Sequence, residues 1–309
     1  MVVNLGMAQS RNKFITVLFL ILTILYIILS FLLHVEVTAL VVGNMKWLTG
    51  NIVPRNYSVE ASIAIITILI LYIYYRSRKG VNRTYTFLFL YCYLIFVYYF
   101  YLVLSLHAVE YVHFIQYFGL VFLIGWTFDP DRKKFLYNKI LFAGVVIGIL
   151  DEIFQFYIVA PGHKYLDFND FLINTLGTVG GLLLYYGFYP LQSAISNKRN
   201  FWVTKRFFFT SSTLIIILIL IYSGIIEKTP PYPVAKAVTT IDGNFKIYLE
   251  RIPGWLGHWR AHFVSGYFYN LSPAQGIILI IIAVSFFSLY DPAIISKFKI
   301  GKKITEHLK

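Results

Sequence analysis

Cysteine is almost absent: Cys92 stands alone in 309 residues, so an intrachain disulfide framework is excluded. Charge is scarce too, at 13% Asp, Glu, Lys and Arg, where a soluble domain carries about 25%. Acidic side chains are the rarer sign, 14 against 27 basic ones. The chain has no G-x-S-x-G nucleophile elbow, no glycine loop that would cradle phosphates and no Cys/His zinc set. It has no internal repeat, no low-complexity linker and no inverted pair of discontinuous spans of the transporter kind. Segments of about 10 alternating residues, the mark of a membrane β-barrel, are missing as well.

What fills the space is apolar. Hydrophobic residues make up 58% of the chain, aromatics 19%, and mean hydropathy is +0.69. Several runs approach the roughly 20 residues that cross a hydrocarbon core of about 30 Å. The expected fold is therefore all-α, a polytopic transmembrane helical bundle. Eight spans are expected, near 14–33, 60–75, 84–105, 110–127, 137–158, 169–189, 207–226 and 273–290. The first follows Arg11 and Lys13 and exceeds the 7–15 residues of a signal-peptide core, so it reads as an uncleaved anchor.

The net charge of +13 would suggest nucleic acid in a soluble protein. Here the basic residues fall in short loops between apolar runs, where they set orientation. Most of the 27 lie on one side when both termini are placed in the cytoplasm. No nucleic-acid partner is expected; membrane lipids are. The long segment 227–272 then lies outside, opening with TPPYP and continuing through FKIYLERIPGWLGHWRAHFVSGYFYN. Its mixture of Trp, Tyr, Arg and Lys suits an interfacial helix. His258 and His262 in HWRAH have metal-compatible i, i+4 spacing on a helix. No third ligand accompanies them, so no metal and no cofactor are expected.

The polar exception is residues 151–181, DEIFQFYIVAPGHKYLDFNDFLINTLGTVGG. Ionisable groups at membrane depth are expensive and mark functional sites. Gln155 shares a helix face with Asp151 or Glu152. Asp170, Asn174, Gly177 and Gly181 step by 4, 3 and 4, one helical stripe. Asn174 needs partners in lipid, and Gly177 with Gly181 lets another helix approach closely. The expected arrangement packs these two helices stripe to stripe, with Asp167 and the cation Lys164 in the connecting loop. Upstream, Glu110, His113 and Tyr117 share a face. Two interpretations stay open for this constellation: a hydrogen-bonded clasp that fixes the hairpin, or a ligand or catalytic site.

Two ordered motifs carry a resemblance. The run D-E-I-x-Q, then P-G-x-K, then D-x-x-x-N-x-x-G-x-x-x-G ending at Gly181, preceded by E-x-x-H-F-x-x-Y-x-x-L from Glu110 to Leu120, resembles the VanZ-like family over about 84–189. The chain departs from that family at Lys164, where Arg is usual; lysine keeps the charge and loses the bidentate fork. The resemblance divides the chain into two helices (1–83), a VanZ-like four-helix domain (84–189), and two further helices with the outer segment and a basic tail (190–309). It implies a bacterial plasma-membrane protein of the cell envelope, with His113, Glu152, Gln155, Lys164, Asp170, Asn174 and Gly177 as motif residues.

Three functions follow as expectations. The first is binding of an amphiphile at an outer-face site: a lipid, a lipid-linked precursor or a lipophilic antibiotic, as in glycopeptide resistance. The second is a membrane-embedded enzyme acting on a lipid-linked substrate, with Glu152 or His113 as the acid–base group and Asp170 as the second carboxylate. A transporter ranks third, because the charges stay in one half of the expected bilayer.

Overall fold

The computed structural model describes residues 13–49, 83–104, 110–132, 136–159, 164–187, 216–217, 219–220, 223–241, 243–262 and 266–291. Helices form at α1 (Lys13–Thr49), α2 (Arg83–Leu104), α3 (Glu110–Phe128), α4 (Tyr137–Phe154) and α5 (Phe168–Gly187). A helix α6 (Pro273–Ser288) closes the described chain. The expected span at 60–75 lies outside the described residues, as do 12 of the 20 residues of that at 207–226.

The all-α bundle of eight spans is not what the chain forms. Residues 226–270 fold into two sheets, so the architecture is mixed. Strand β1 (Ile226–Glu227) runs parallel to β3 (Asn244–Tyr248), which pairs antiparallel with β2 (Val238–Ile241). Strands β4 (His258–His262) and β5 (Gly266–Asn270) form a separate antiparallel pair. Among the described residues, two helical stretches, Phe14–Leu33 and Tyr137–Ile158, are long and apolar enough to cross a membrane. The helices at 85–100, 112–128 and 273–288 are apolar but shorter.

The β structure corrects the interfacial-helix expectation for 227–272, and the reason is local. V-T-T-I-D-G-N-F-K-I-Y alternates β-branched and aromatic residues around an Asp-Gly pair, a strong hairpin signal. Gly243 takes φ 78° there, which costs a glycine nothing. In a strand, His258 and His262 are about 13 Å apart along the chain, too far to share an ion. Aromatic richness was a property of the segment; its period was two.

Helix α5 is the centre of the fold. Every residue from Phe171 to Leu183 is buried, with α2, α3, α4 and α6 packed around it. The Gly177 and Gly181 stripe faces α3 rather than α4. A methyl group added at Gly177 would lie 2.6 Å from the Phe114 carbonyl oxygen, and one at Gly181 2.8 Å from that of Phe118. The α4–α5 contact uses glycines of the other helix, Gly144 against Thr178 and Gly148 against Asn174. Small residues thus bring both neighbouring backbones close to α5.

Aromatic rings fill the α2–α6 side, where Phe89, Tyr93 and Phe96 meet Phe286 and Phe287. The Tyr93 hydroxyl donates to the Leu176 carbonyl at 3.0 Å. Helix α1 lies on the outside against α3, with only 6% of its apolar stretch buried. Tyr26 donates to the Gln116 carbonyl at 2.9 Å and Thr23 bonds Thr127 at 3.1 Å. At α6, Ser272 and Gln275 form a reciprocal capping box with Pro273 in the first turn.

Candidate functional site

Antiparallel packing brings the start of α3, the end of α4 and the start of α5 to one end of the bundle, and the polar residues meet there. His113, one turn into α3, is 3% exposed. Its Nδ1 lies 3.5 Å from Oε1 of Glu152, and its Nε2 lies 3.8 Å from Oδ2 of Asp170. Glu152 is buried, whereas the Asp170 side chain keeps 18% of its surface accessible. The imidazole is therefore bracketed by carboxylates from two other helices, one enclosed and one reachable. These three residues can offer one ligand atom each, all within 4.8 Å of one another.

Asn174 completes the inner face. Its Nδ2 donates to Glu152 Oε1 at 3.1 Å and to the Gly148 carbonyl at 3.4 Å. Asp151, fully buried, accepts from the Tyr117 hydroxyl at 2.9 Å and from Gln116 Nε2 at 3.4 Å. Just beyond these acids α4 widens into a π-helical turn, Gln155–Val159. Such turns are rare and frequently stand at functional sites. Gln155 opens it and is buried.

Asp167 acts as the N-cap of α5, accepting from the backbone N–H of Asn169 at 2.8 Å and of Asp170 at 3.4 Å. Burial, reinforced by the Asp170 charge, pushes its carboxyl up to about 8, against those hydrogen bonds and one from Tyr165. Four carboxyl groups, Asp151, Glu152, Asp167 and Asp170, are crowded at this end of the molecule.

The loop cation does not relieve this crowding. Lys164 is exposed and its ammonium lies 4.8 Å from the centre of the Trp255 ring. Its carbonyl accepts from the Arg251 N–H at 2.6 Å. Lys164 therefore anchors the β region: Arg260 covers Trp255 at 4.4 Å and Tyr165 stacks on it at 5.3 Å. Leu166 N donates to the Leu249 carbonyl, Arg251 Nη2 to the Phe156 carbonyl and Tyr157 to the Tyr248 carbonyl. The two sheets form a cap docked on the π turn and on the loop entering α5, the same end as the His–carboxylate cluster.

Of the residues singled out from sequence, His113, Glu152, Asp170 and Asn174 converge, with Tyr117 and Asp151 beside them. Gln155 and Asp167 border the cluster, Lys164 belongs to the cap, and Gly177 and Gly181 are packing residues against α3. Glu110 is the first residue of α3; its side chain is outside what the structure describes. Sequence reasoning passed over Gln116, three residues beyond His113, and Asn169, whose amide ties α5 to Tyr269 and Leu271 at 2.9 Å each. It also passed over Glu250, a fully buried carboxylate that accepts from the N–H groups of Gly254, Trp255 and Leu256.

A second network closes the opposite end. Asp129, 1% exposed, accepts the Tyr186 hydroxyl at 2.8 Å, and the Asp129 carbonyl accepts the Tyr185 hydroxyl at 2.9 Å. Arg132, at φ 56°, donates Nε to the Tyr185 carbonyl at 2.7 Å. That carbonyl is one of the last four of α5, which have no partner within the helix, so this network is a terminus cap.

No family model, no curated protein and no solved structure matches the chain. The VanZ-like resemblance therefore rests on its motif residues alone.

Proposed function

We propose that this chain is a bacterial plasma-membrane protein of the cell envelope in which His113, Glu152 and Asp170 form an acid–base centre acting on a lipid-linked or similar amphiphilic substrate. The observation that carries this is the imidazole between two carboxylates of unequal exposure, Glu152 enclosed and Asp170 open at 18%. Histidine changes charge near neutral pH, and a carboxylate at one ring nitrogen orients it and stabilises its cationic form. Asp170 is the group a substrate reaches first. Asn174 holds Glu152 in place.

The membrane location is supported by the exposed apolar surface of α1 and by α4 with its π turn, both long enough to span. The VanZ-like motif supports the envelope role. Simple capture of an anionic headgroup is the weaker alternative, because Lys164, the cation it relied on, is spent on Trp255. A carboxylate-rich cluster repels an anion.

The test is survival of a sensitive Gram-positive host against a lipoglycopeptide, with the wild-type chain beside Glu152→Gln and Asp170→Asn at matched membrane abundance. Protection by wild type and its loss in both variants is expected. Equal protection by all three would make the cluster a structural clasp, and no protection by wild type would overturn the envelope role. Turnover of a lipid-linked wall precursor in proteoliposomes, beyond one product per chain, separates catalysis from binding.

A further inference from the structure

We infer that His113, Glu152 and Asp170 together bind a divalent transition-metal cation of the zinc class. The inference deepens the acid–base reading above and rests on that cluster being the working site. One imidazole nitrogen and two carboxylate oxygens are a donor set that suits zinc, with a fourth position left for water. Ligands on a tetrahedral ion with bonds of about 2.1 Å stand roughly 3.4 Å apart. One nitrogen of His113 and one carboxylate oxygen each of Glu152 and Asp170 lie within 4.8 Å of one another.

An independent observation points the same way. The Asn174 side chain is wholly buried, and its Oδ1 has no hydrogen-bond partner among the described residues. The orientation of that amide is fixed, since its Nδ2 faces two acceptors, Glu152 Oε1 and the Gly148 carbonyl. A buried carboxamide oxygen beside Glu152 is costly unless something accepts its lone pairs. A cation, or a water held by one, does so. The charge balance agrees: Asp151, Glu152, Asp167 and Asp170 crowd one end of the bundle. A bound dication offsets two of these charges and supplies a Lewis acid or an activated water in a water-poor site.

The experiment uses the full chain, purified in detergent without a histidine tag and stripped with chelator. Zinc content is read by elemental analysis, and cobalt is titrated as a spectroscopic substitute with visible absorption. About one ion per chain is expected. Binding should be lost in His113→Ala and in Asp170→Asn, weakened about 10–100-fold in Asn174→Ala, and unchanged in His258→Ala. Circular dichroism of each variant checks folding, and Asp170, being partly exposed, supplies a variant that does not leave a hole in the core. Folded wild type that takes up neither ion overturns the inference, as does uptake that survives His113→Ala. If no ion binds but protection in the host still needs His113 and Glu152, the acid–base reading stands alone. Should the ion bind while the variants protect like wild type, the metal site stands and the catalytic reading falls.

Discussion

Asn174 Nδ2 donates to Oε1 of Glu152 at 3.1 Å, and that same oxygen lies 3.5 Å from His113 Nδ1. One carboxylate oxygen thus links α3, α4 and α5. Because the amide also holds the Gly148 carbonyl, Glu152 cannot turn away from His113 without freeing a buried donor. Asn174→Ala should therefore lower stability by about 1 kcal/mol. Asn174→Asp should cost more, since it replaces the donor with a second carboxylate facing Glu152. Thermal melts in detergent give the order; an aspartate variant at least as stable as the alanine one would contradict this account.

Gly177 sets the distance between α3 and α5. A methyl there meets the Phe114 carbonyl oxygen at 2.6 Å, a backbone atom with no rotamer to yield. Gly177→Ala should cost about 1–3 kcal/mol through overpacking and should also reduce function, since Phe114 follows His113 and both move with α3. Gly119→Ala, whose added methyl lies 3.2 Å from the Tyr26 hydroxyl of α1, should be milder in melting temperature and should leave protection of the host intact.

The cap depends on Glu250. Three backbone N–H groups converge on its carboxylate, and Thr229 adds a hydroxyl. Glu250→Ala leaves those donors without their acceptor, the Leu256 N–H buried, and should cost the cap about 1–3 kcal/mol. Limited proteolysis reads this directly: new cleavage is expected within 226–270, while the helical core stays intact. An unchanged digestion pattern would mean that Trp255 and its cations hold the cap unaided.

Tyr186→Phe probes the far end of the bundle. It removes the hydroxyl that Asp129 accepts at 2.8 Å, leaving a buried carboxylate short of one donor. A loss of about 1–3 kcal/mol is expected, together with unchanged protection and unchanged zinc uptake, because the His113 cluster lies at the other end of α5. Loss of zinc uptake in a folded Tyr186→Phe variant would show the two ends to be coupled.

Helix positions were legible because hydropathy and a 3.6-residue period are local properties. The expected spans at 84–105, 110–127, 137–158, 169–189 and 273–290 coincide with helices α2 to α6 within a few residues. The spacing of Asp170, Asn174, Gly177 and Gly181 placed them on one face for the same reason. The cap departs from the interfacial-helix expectation because that expectation rests on aromatic and basic composition and not on the two-residue alternation. Composition is shared by an interfacial helix and a strand pair; period is not.

What the sequence by itself determined is the apolar character of the helices and the scarcity of charge. It also determined that four of the 14 acidic side chains fall between Asp151 and Asp170. These follow from side-chain chemistry counted along the chain. The tertiary structure decided the pairings. Helix α3 took the glycine stripe that α4 was expected to take. Lys164 went to Trp255 instead of the acids, and His113 came between Glu152 and Asp170, residues 39 and 57 positions further on. Such contacts depend on which backbones can approach closely in three dimensions. Glycines on two helices determine that jointly, so it could not be read from either segment alone.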